Sequence, residues 1–116
     1  MSEQVFVSYA SQDRGRVQKV LKALRSRGLF DDPSTVTIDA SSVMIPGSSI
    51  RGALRKAIES ANNVIVLWTP QAARSEWVNY ELGMATAFGK PITLVMPDEA
   101  APDVPPNLGD MQVVKL

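Results

Sequence analysis

The stretch Val64-Ile-Val-Leu-Trp68 is the most continuous apolar run in the chain and indicates a central strand. Shorter runs of β-branched, aromatic and apolar residues predict four further strands, at residues 5–9, 36–39, 92–96 and 112–116. A strand without polar alternation is typical of a parallel sheet, because helices cover both faces of such a sheet. The central run therefore favours parallel pairing.

Three amphipathic helices are predicted between the strands, over about residues 13–27, 49–62 and 75–88. Ser75 is placed to cap the third of them. The alternation of strands and helices indicates an α/β fold with helices on both faces of a parallel sheet. Five strands favour the flavodoxin-like order 2-1-3-4-5. In this order the strand sequence reverses between strands 1 and 3, and a ligand is expected to bind at their carboxyl ends.

The chain has 116 residues, 12 Lys and Arg, 12 Asp and Glu, and a formal net charge of zero. Its length fits a single domain over residues 1–116. The charge balance argues against a nucleic-acid-binding arm or a polybasic anchor, so neither nucleic acid nor a membrane is an expected partner. No apolar run approaches the roughly 18 residues of a membrane helix, and no signal peptide is evident, so we expect a cytoplasmic location.

The absence of His and Cys removes several classes of active site. A Ser-His-Asp triad, a thiol nucleophile and a zinc-thiolate or imidazole metal site are all excluded, and no metal is expected. The glycines fit neither of the two common phosphate-binding loops. Any catalysis must therefore come from carboxylates, hydroxyls, Lys or Arg, or the backbone.

The predicted third helix carries the most informative carboxylate. Trp77, Glu81 and Met84 form a stripe beside the residues spaced for burial, so Glu81 is expected at the edge of the apolar face. A Glu there is either a rim residue that reaches water, which is the commoner case, or an acid in a partly dry pocket. Trp77 alone is more often a packing residue than a ligand platform, and Asp13 is expected to be a first-turn charge that interacts with the helix dipole.

Three segments resemble boxes of the Toll/interleukin-1 receptor (TIR) domain in its bacterial form. Val5-Phe-Val-Ser-Tyr-Ala-Ser-Gln-Asp13 is similar to the first box, and the segment from Asp39 to Pro46-Gly47 is similar to the loop between the second strand and the second helix. Ser75-Glu-Trp-Val-Asn-Tyr-Glu81 resembles the S-x-W-x-x-x-E signature of the third helix. The boxes occur in the family's order across nearly the whole chain.

This resemblance implies two classes of function. Many TIR domains hydrolyse NAD⁺ to nicotinamide and ADP-ribose, or cyclise the product, and carry a Glu matching Glu81 with a Trp one turn before it. Glu81 thus becomes the catalytic candidate and Trp77 a pocket wall. The residues expected to border the substrate are Ser8, Tyr9, Ala10, Ser11, Asp39, Ile45, Pro46 and Gly47.

The expected function is that of an NAD⁺ glycohydrolase in a bacterial defence or effector system. NAD⁺ would be the substrate, so no cofactor is expected, and a single carboxylate suffices because nicotinamide leaves as a neutral molecule. Other TIR domains are expected partners through self-association, in which the loop at 39–47 docks on a neighbour. The alternative is a non-catalytic TIR–TIR scaffold, which the sparse basic lining favours, because Ala10 and Ser11 stand where some enzymatic members carry basic residues.

The chain departs from the family pattern after its fourth strand. The region of the family's fourth helix is a Pro-rich, acidic loop, and the chain stops where the family places a helix after the fifth strand. Three predicted helices leave one face of the sheet short of cover. We therefore expect this domain to be cut from a longer protein, or a neighbour to cover the bare face.

Overall fold

The structure of the protein is a computed structural model that describes residues 4–28, 36–38, 50–97 and 111–116. The strands are β1 (Gln4–Ser8), β2 (Val36–Ile38), β3 (Asn63–Leu67), β4 (Ile92–Met96) and β5 (Met111–Lys115). The helices are α1 (Val17–Ser26), which follows a 3-10 helix at Ser11–Arg16, α2 (Ile50–Ser60), the single-turn α3 (Pro70–Ala73) and α4 (Glu76–Ala87). Within these ranges, no helix combines the length and the apolar character that crossing a membrane requires.

The five strands in the described residues form one parallel sheet in the order β2-β1-β3-β4-β5. β1 lies between β2 and β3, with Phe6 opposite both Ile38 and Val64. The chain leaves β1 toward β2 on one side, whereas β3 continues toward β4 on the other side, so a crevice is expected at the carboxyl ends of β1 and β3. The predicted α/β fold with a parallel sheet is confirmed.

The core consists of two apolar clusters, one on each face of the sheet. Phe6 on β1 packs in the cluster that includes residues of α2 and α4, whereas its neighbours Val5 and Val7 pack in the cluster that includes α1. This alternation follows from the strand period of two, because successive side chains point to opposite faces. Both faces of β1 are therefore buried, and only its ends can present side chains to a ligand.

The start of α4 and the ends of α1 and α4 lie where the local sequence predicts them. The Ser75 hydroxyl accepts a hydrogen bond from the Val78 N–H at 3.1 Å, which confirms it as the N-terminal cap of α4. Gly28 and Gly89 have φ values of +73° and +67°, the left-handed conformation that terminates helices.

Two features differ from the sequence-based expectations or lie beyond the described residues. The chain after β3 forms α3, a single turn that was not predicted; Thr69 caps it and Pro70 opens it. The segment 98–110 lies outside the described residues, so the predicted bare face of the sheet stays a prediction. Val113 on β5 is 40% exposed, so the prediction that this side of the sheet lacks cover can be tested at this residue.

Candidate active site

A cleft of about 590 Å³ opens at the carboxyl ends of β1 and β3, where the strand order predicts a ligand site. Its volume falls within the range of small-molecule sites. The segment after β1 supplies one wall, and the segment from α3 to the second turn of α4 supplies the other. The described residues that line it are Val7, Tyr9, Ser11, Gln12, Arg14, Gln71, Arg74, Ser75, Trp77 and Glu81.

Glu81 lies at the buried side of this cleft and is only 1% exposed. Ser8, the last residue of β1, donates a hydrogen bond from its hydroxyl to Oε1 of Glu81 at 2.7 Å. Oε2 is buried too and accepts no hydrogen bond from the described part of the chain. The contact joins the end of a central strand to α4, two elements that are far apart in sequence.

Of the two interpretations that the sequence left open for Glu81, the rim residue that reaches water is wrong, because the side chain is buried. On α4 it shares the buried stripe of Val78, Leu82 and Ala85, which packs over the sheet. Spacing alone placed it at the edge of this stripe, but α4 packs closely enough on β1 and β3 to cover the edge as well. Burial of a carboxyl group costs free energy unless hydrogen bonds compensate, and Ser8 supplies one such bond.

Trp77 is half-buried and forms a wall of the cleft one helical turn before Glu81. Its ring stacks on that of Tyr80, with centroids 6.2 Å apart and planes inclined by 28°. Tyr80 itself is 40% exposed. Trp77 therefore both packs against Tyr80 and lines the cleft. The sequence left open whether it is a packing residue or a ligand platform, and its position in the structure allows both roles.

A buried polar network joins the two walls of the cleft. Asp13 is 1% exposed and Thr69 is fully buried, and the Thr69 hydroxyl donates to Oδ2 of Asp13 at 2.5 Å. The same hydroxyl accepts from the Ala72 N–H at 3.1 Å and so caps α3. Arg16 lies 3.5 Å from the other Asp13 oxygen. Asp13 lies in the first turn of the 3-10 helix, as the sequence predicts, and it also forms a buried link from that helix to the start of α3, which was not predicted.

The cleft is also lined by two arginines that were not among the predicted site residues. Arg14 comes from the 3-10 helix after β1, and Arg74 follows α3. Both are exposed. The expectation of a sparse basic lining, which rested on Ala10 and Ser11, does not hold for this cleft. Both arginines could have been found from the sequence, because they follow the predicted strands 1 and 3 within a few residues. The position of Arg74 was not evident because α3 was not predicted.

The other predicted site residues divide into three groups. Tyr9 and Ser11 line the cleft together with Trp77 and Glu81, and Ser8 contacts Glu81. Ala10 packs into the core cluster and is not among the lining residues. The remaining predicted residues, Asp39, Ile45, Pro46 and Gly47, lie outside the described residues. Within the described ranges, no group of three or more carboxylates could hold a metal ion.

Residues 5–116 match the sequence profile of the TIR domain. Together with the parallel α/β fold, this match identifies the class of protein. The chain belongs to the TIR domain family.

Two curated relatives share part of their sequence with this chain. It is 32% identical over 78 residues to the "Probable 2' cyclic ADP-D-ribose synthase TcpO" of Methanobrevibacter olleyae. This alignment covers 66% of this chain and 21% of that protein. It is 27% identical over 99 residues to the "Putative cyclic ADP-D-ribose synthase TIR2" of Cytobacillus dafuensis, and this alignment covers 83% of this chain and 26% of that protein. The chain therefore spans only about a quarter of the length of these relatives.

A solved structure with a similar fold is the TIR domain of the Toll-related receptor TRR-2 from Hydra magnipapillata. The two superimpose with a TM-score of 0.72 at 22% sequence identity, over 96% of this chain and 82% of the Hydra chain. At this level of identity the likeness supports the fold alone.

Proposed function

We propose that this domain cleaves the bond between nicotinamide and ribose in NAD⁺. The observation that carries the proposal is Glu81, a buried carboxyl group that lines the cleft beside Trp77 and is held by Ser8. An apolar side chain at this position of α4 would avoid the cost of burying a carboxyl group. A residue in a cleft that lowers the stability of the fold is typical of a functional site, where residues are selected for their chemistry.

The chemistry of NAD⁺ allows one carboxylate to suffice. As the bond from ribose C1′ to the pyridinium nitrogen breaks, its electron pair stays with the nitrogen, so nicotinamide leaves neutral and needs no proton. Positive charge then develops on the ribose as an oxocarbenium ion. The Glu81 carboxylate stabilises that charge, and it does so more strongly in a cleft with little water than it would in bulk solvent.

Ser8 has an orienting role in this mechanism. Its hydroxyl holds Oε1 of Glu81 at 2.7 Å, which limits the rotation of the carboxylate before substrate binds. Trp77 supplies an apolar surface that excludes water from one side of the reacting bond. We assign Glu81 as the catalytic residue and Ser8 as a positioning residue.

The second step decides the product. Attack of water on C1′, with loss of a proton, gives ADP-ribose, whereas attack by a group in the ADP part of the same molecule gives a cyclic product. Both curated relatives are named as cyclic ADP-ribose synthases, which supports cyclisation in this chain. We place the domain in a bacterial defence or effector system in which it self-associates with other TIR domains.

The test incubates the concentrated protein with NAD⁺ and separates nicotinamide, ADP-ribose and cyclic products by chromatography. Glu81→Gln keeps the shape of the side chain and removes its charge, so nicotinamide release should fall about a hundredfold or more. Glu59→Gln is the matched control, because Glu59 is an exposed carboxylate on α2 and should be silent.

Two results would contradict the proposal. Wild-type release by Glu81→Gln would place the chemistry at another residue. No release from the wild-type protein, even when it is concentrated, would support the non-catalytic TIR–TIR scaffold.

A further inference from the structure

Arg14 and Arg74 both line the cleft that holds Glu81. Arg14 belongs to the 3-10 helix that follows β1, and Arg74 is the residue after α3. Glu81 is the only acidic side chain among the described residues that line the cleft. The cleft therefore combines one buried carboxyl group with two exposed arginine side chains.

The buried network described above links the backbone segments that carry these two arginines. Arg14 directly follows Asp13, whose carboxylate accepts the hydrogen bond from Thr69. Thr69 in turn caps the single-turn α3, and Arg74 closes that turn with a backbone hydrogen bond to Gln71. The Asp13–Thr69 bond thus ties together the two backbone segments that carry these arginines, which limits how far the segments can separate before a ligand binds.

We propose that Arg14 and Arg74 form the subsite for the diphosphate group of the dinucleotide substrate, an inference that rests on the proposed function. Guanidinium groups bind phosphate oxygens through paired, charge-assisted hydrogen bonds. A diphosphate carries two negative charges and several acceptor oxygens, which suits two arginines that line the same cleft.

This assignment also orients the substrate. The cationic nicotinamide riboside end lies against Glu81 and Trp77, and the anionic end lies between the arginines. The reverse orientation would bring the diphosphate to a buried carboxyl group and is electrostatically unfavourable. The subsite therefore contributes to ground-state binding of the substrate, and the reacting bond remains with Glu81.

The test compares Arg14→Gln, Arg74→Gln and the double variant on two substrates. NAD⁺ contains the diphosphate, whereas nicotinamide riboside has the same scissile bond and no phosphate. Loss of one charge-assisted contact should raise KM for NAD⁺ about tenfold with little change in kcat. The kcat/KM for nicotinamide riboside should stay within about twofold of wild type in the same variants.

Arg51→Gln is the matched control, because it removes the same charge from an exposed site on α2 that does not line the cleft. It should leave both substrates unaffected. A KM for NAD⁺ that stays at the wild-type value in the double variant would overturn the subsite. An equal loss on nicotinamide riboside would also overturn it, since that pattern indicates general damage to the cleft.

A binding measurement separates this inference from the proposed function. Titration of the wild-type protein with ADP, followed by NMR, should show saturable shifts that the double variant loses and Arg51→Gln keeps. This result would support the subsite even if the protein releases no nicotinamide. Equal ADP binding by the wild type and the double variant would overturn the subsite, whatever the result of the turnover assay.

Discussion

Glu81 occupies a position on α4 that an apolar side chain could fill without burying a carboxyl group. Its neighbours on the same helix face, Val78, Leu82 and Ala85, are all buried. Ser8 provides a hydrogen bond that an amide oxygen could accept equally well. The negative charge is therefore the property of Glu81 that packing does not need and that the proposed reaction does.

For this single residue, we predict that Glu81→Gln has a free energy of unfolding about 1–3 kcal/mol higher than that of the wild type at neutral pH. The amide keeps the volume and the acceptor for Ser8, and it removes the cost of desolvating a carboxylate. The free energy of unfolding from urea denaturation measures this difference. Glu59→Gln should change it by less than about 0.5 kcal/mol, because Glu59 is exposed. A Glu81→Gln variant that is less stable than the wild type would show that the carboxylate is structurally required.

At the scale of elements, the walls of the cleft rest on two short helices. The 3-10 helix at Ser11–Arg16 and the single-turn α3 are both too short to be stable alone. The Asp13–Thr69 hydrogen bond joins them, because Asp13 lies within the 3-10 helix and Thr69 caps the start of α3. A single buried hydroxyl therefore supports two elements of the site.

We predict that Thr69→Val lowers the free energy of unfolding by about 2–4 kcal/mol, because it removes the cap of α3 and leaves Asp13 without a buried donor. Valine keeps the shape of threonine, so packing is little changed. Thr69→Ser restores the hydroxyl and should lie within about 1 kcal/mol of the wild type. Denaturation of the three proteins side by side tests this. Destabilisation by Thr69→Ser as large as that by Thr69→Val would show that loss of the hydroxyl does not account for the effect.

For the molecule as a whole, the described residues supply two walls of the cleft, and the resemblance to TIR domains implies that the segment 39–47 of a neighbouring copy helps to complete the site. The segment 39–47, which the resemblance associates with docking, lies outside the described residues. Self-association is therefore a prediction that assays of the intact chain must test.

We predict that turnover per molecule rises with protein concentration, because an assembled site forms only when copies meet. Gly47→Arg should abolish this rise and leave the circular dichroism spectrum and the melting temperature near those of the wild type. Gly83→Arg is the control, since Gly83 is exposed on α4 with open space around it. Turnover per molecule that is constant from dilute to concentrated protein would count against an assembled site.

Local sequence patterns are enough to predict the order of the five strands and of the three longer helices, as well as the cap at Ser75. These features depend on local periodicity and on hydrogen bonds between residues a few positions apart, which a sequence displays directly. The strand alternation then places the ends of β1 and β3 together, so the region of the cleft was also predictable. The TIR signature identified Glu81 and Trp77 as residues of interest.

Only the tertiary structure decided what surrounds those residues. The burial of Glu81 depends on how closely α4 packs on the sheet, and its bond to Ser8 joins residues 73 positions apart. The Asp13–Thr69 bond spans 56 positions, and Arg14 and Arg74, which are 60 positions apart, line the same cleft. No local pattern encodes such contacts, because side chains that are distant in sequence meet only when the sheet brings its strand ends together.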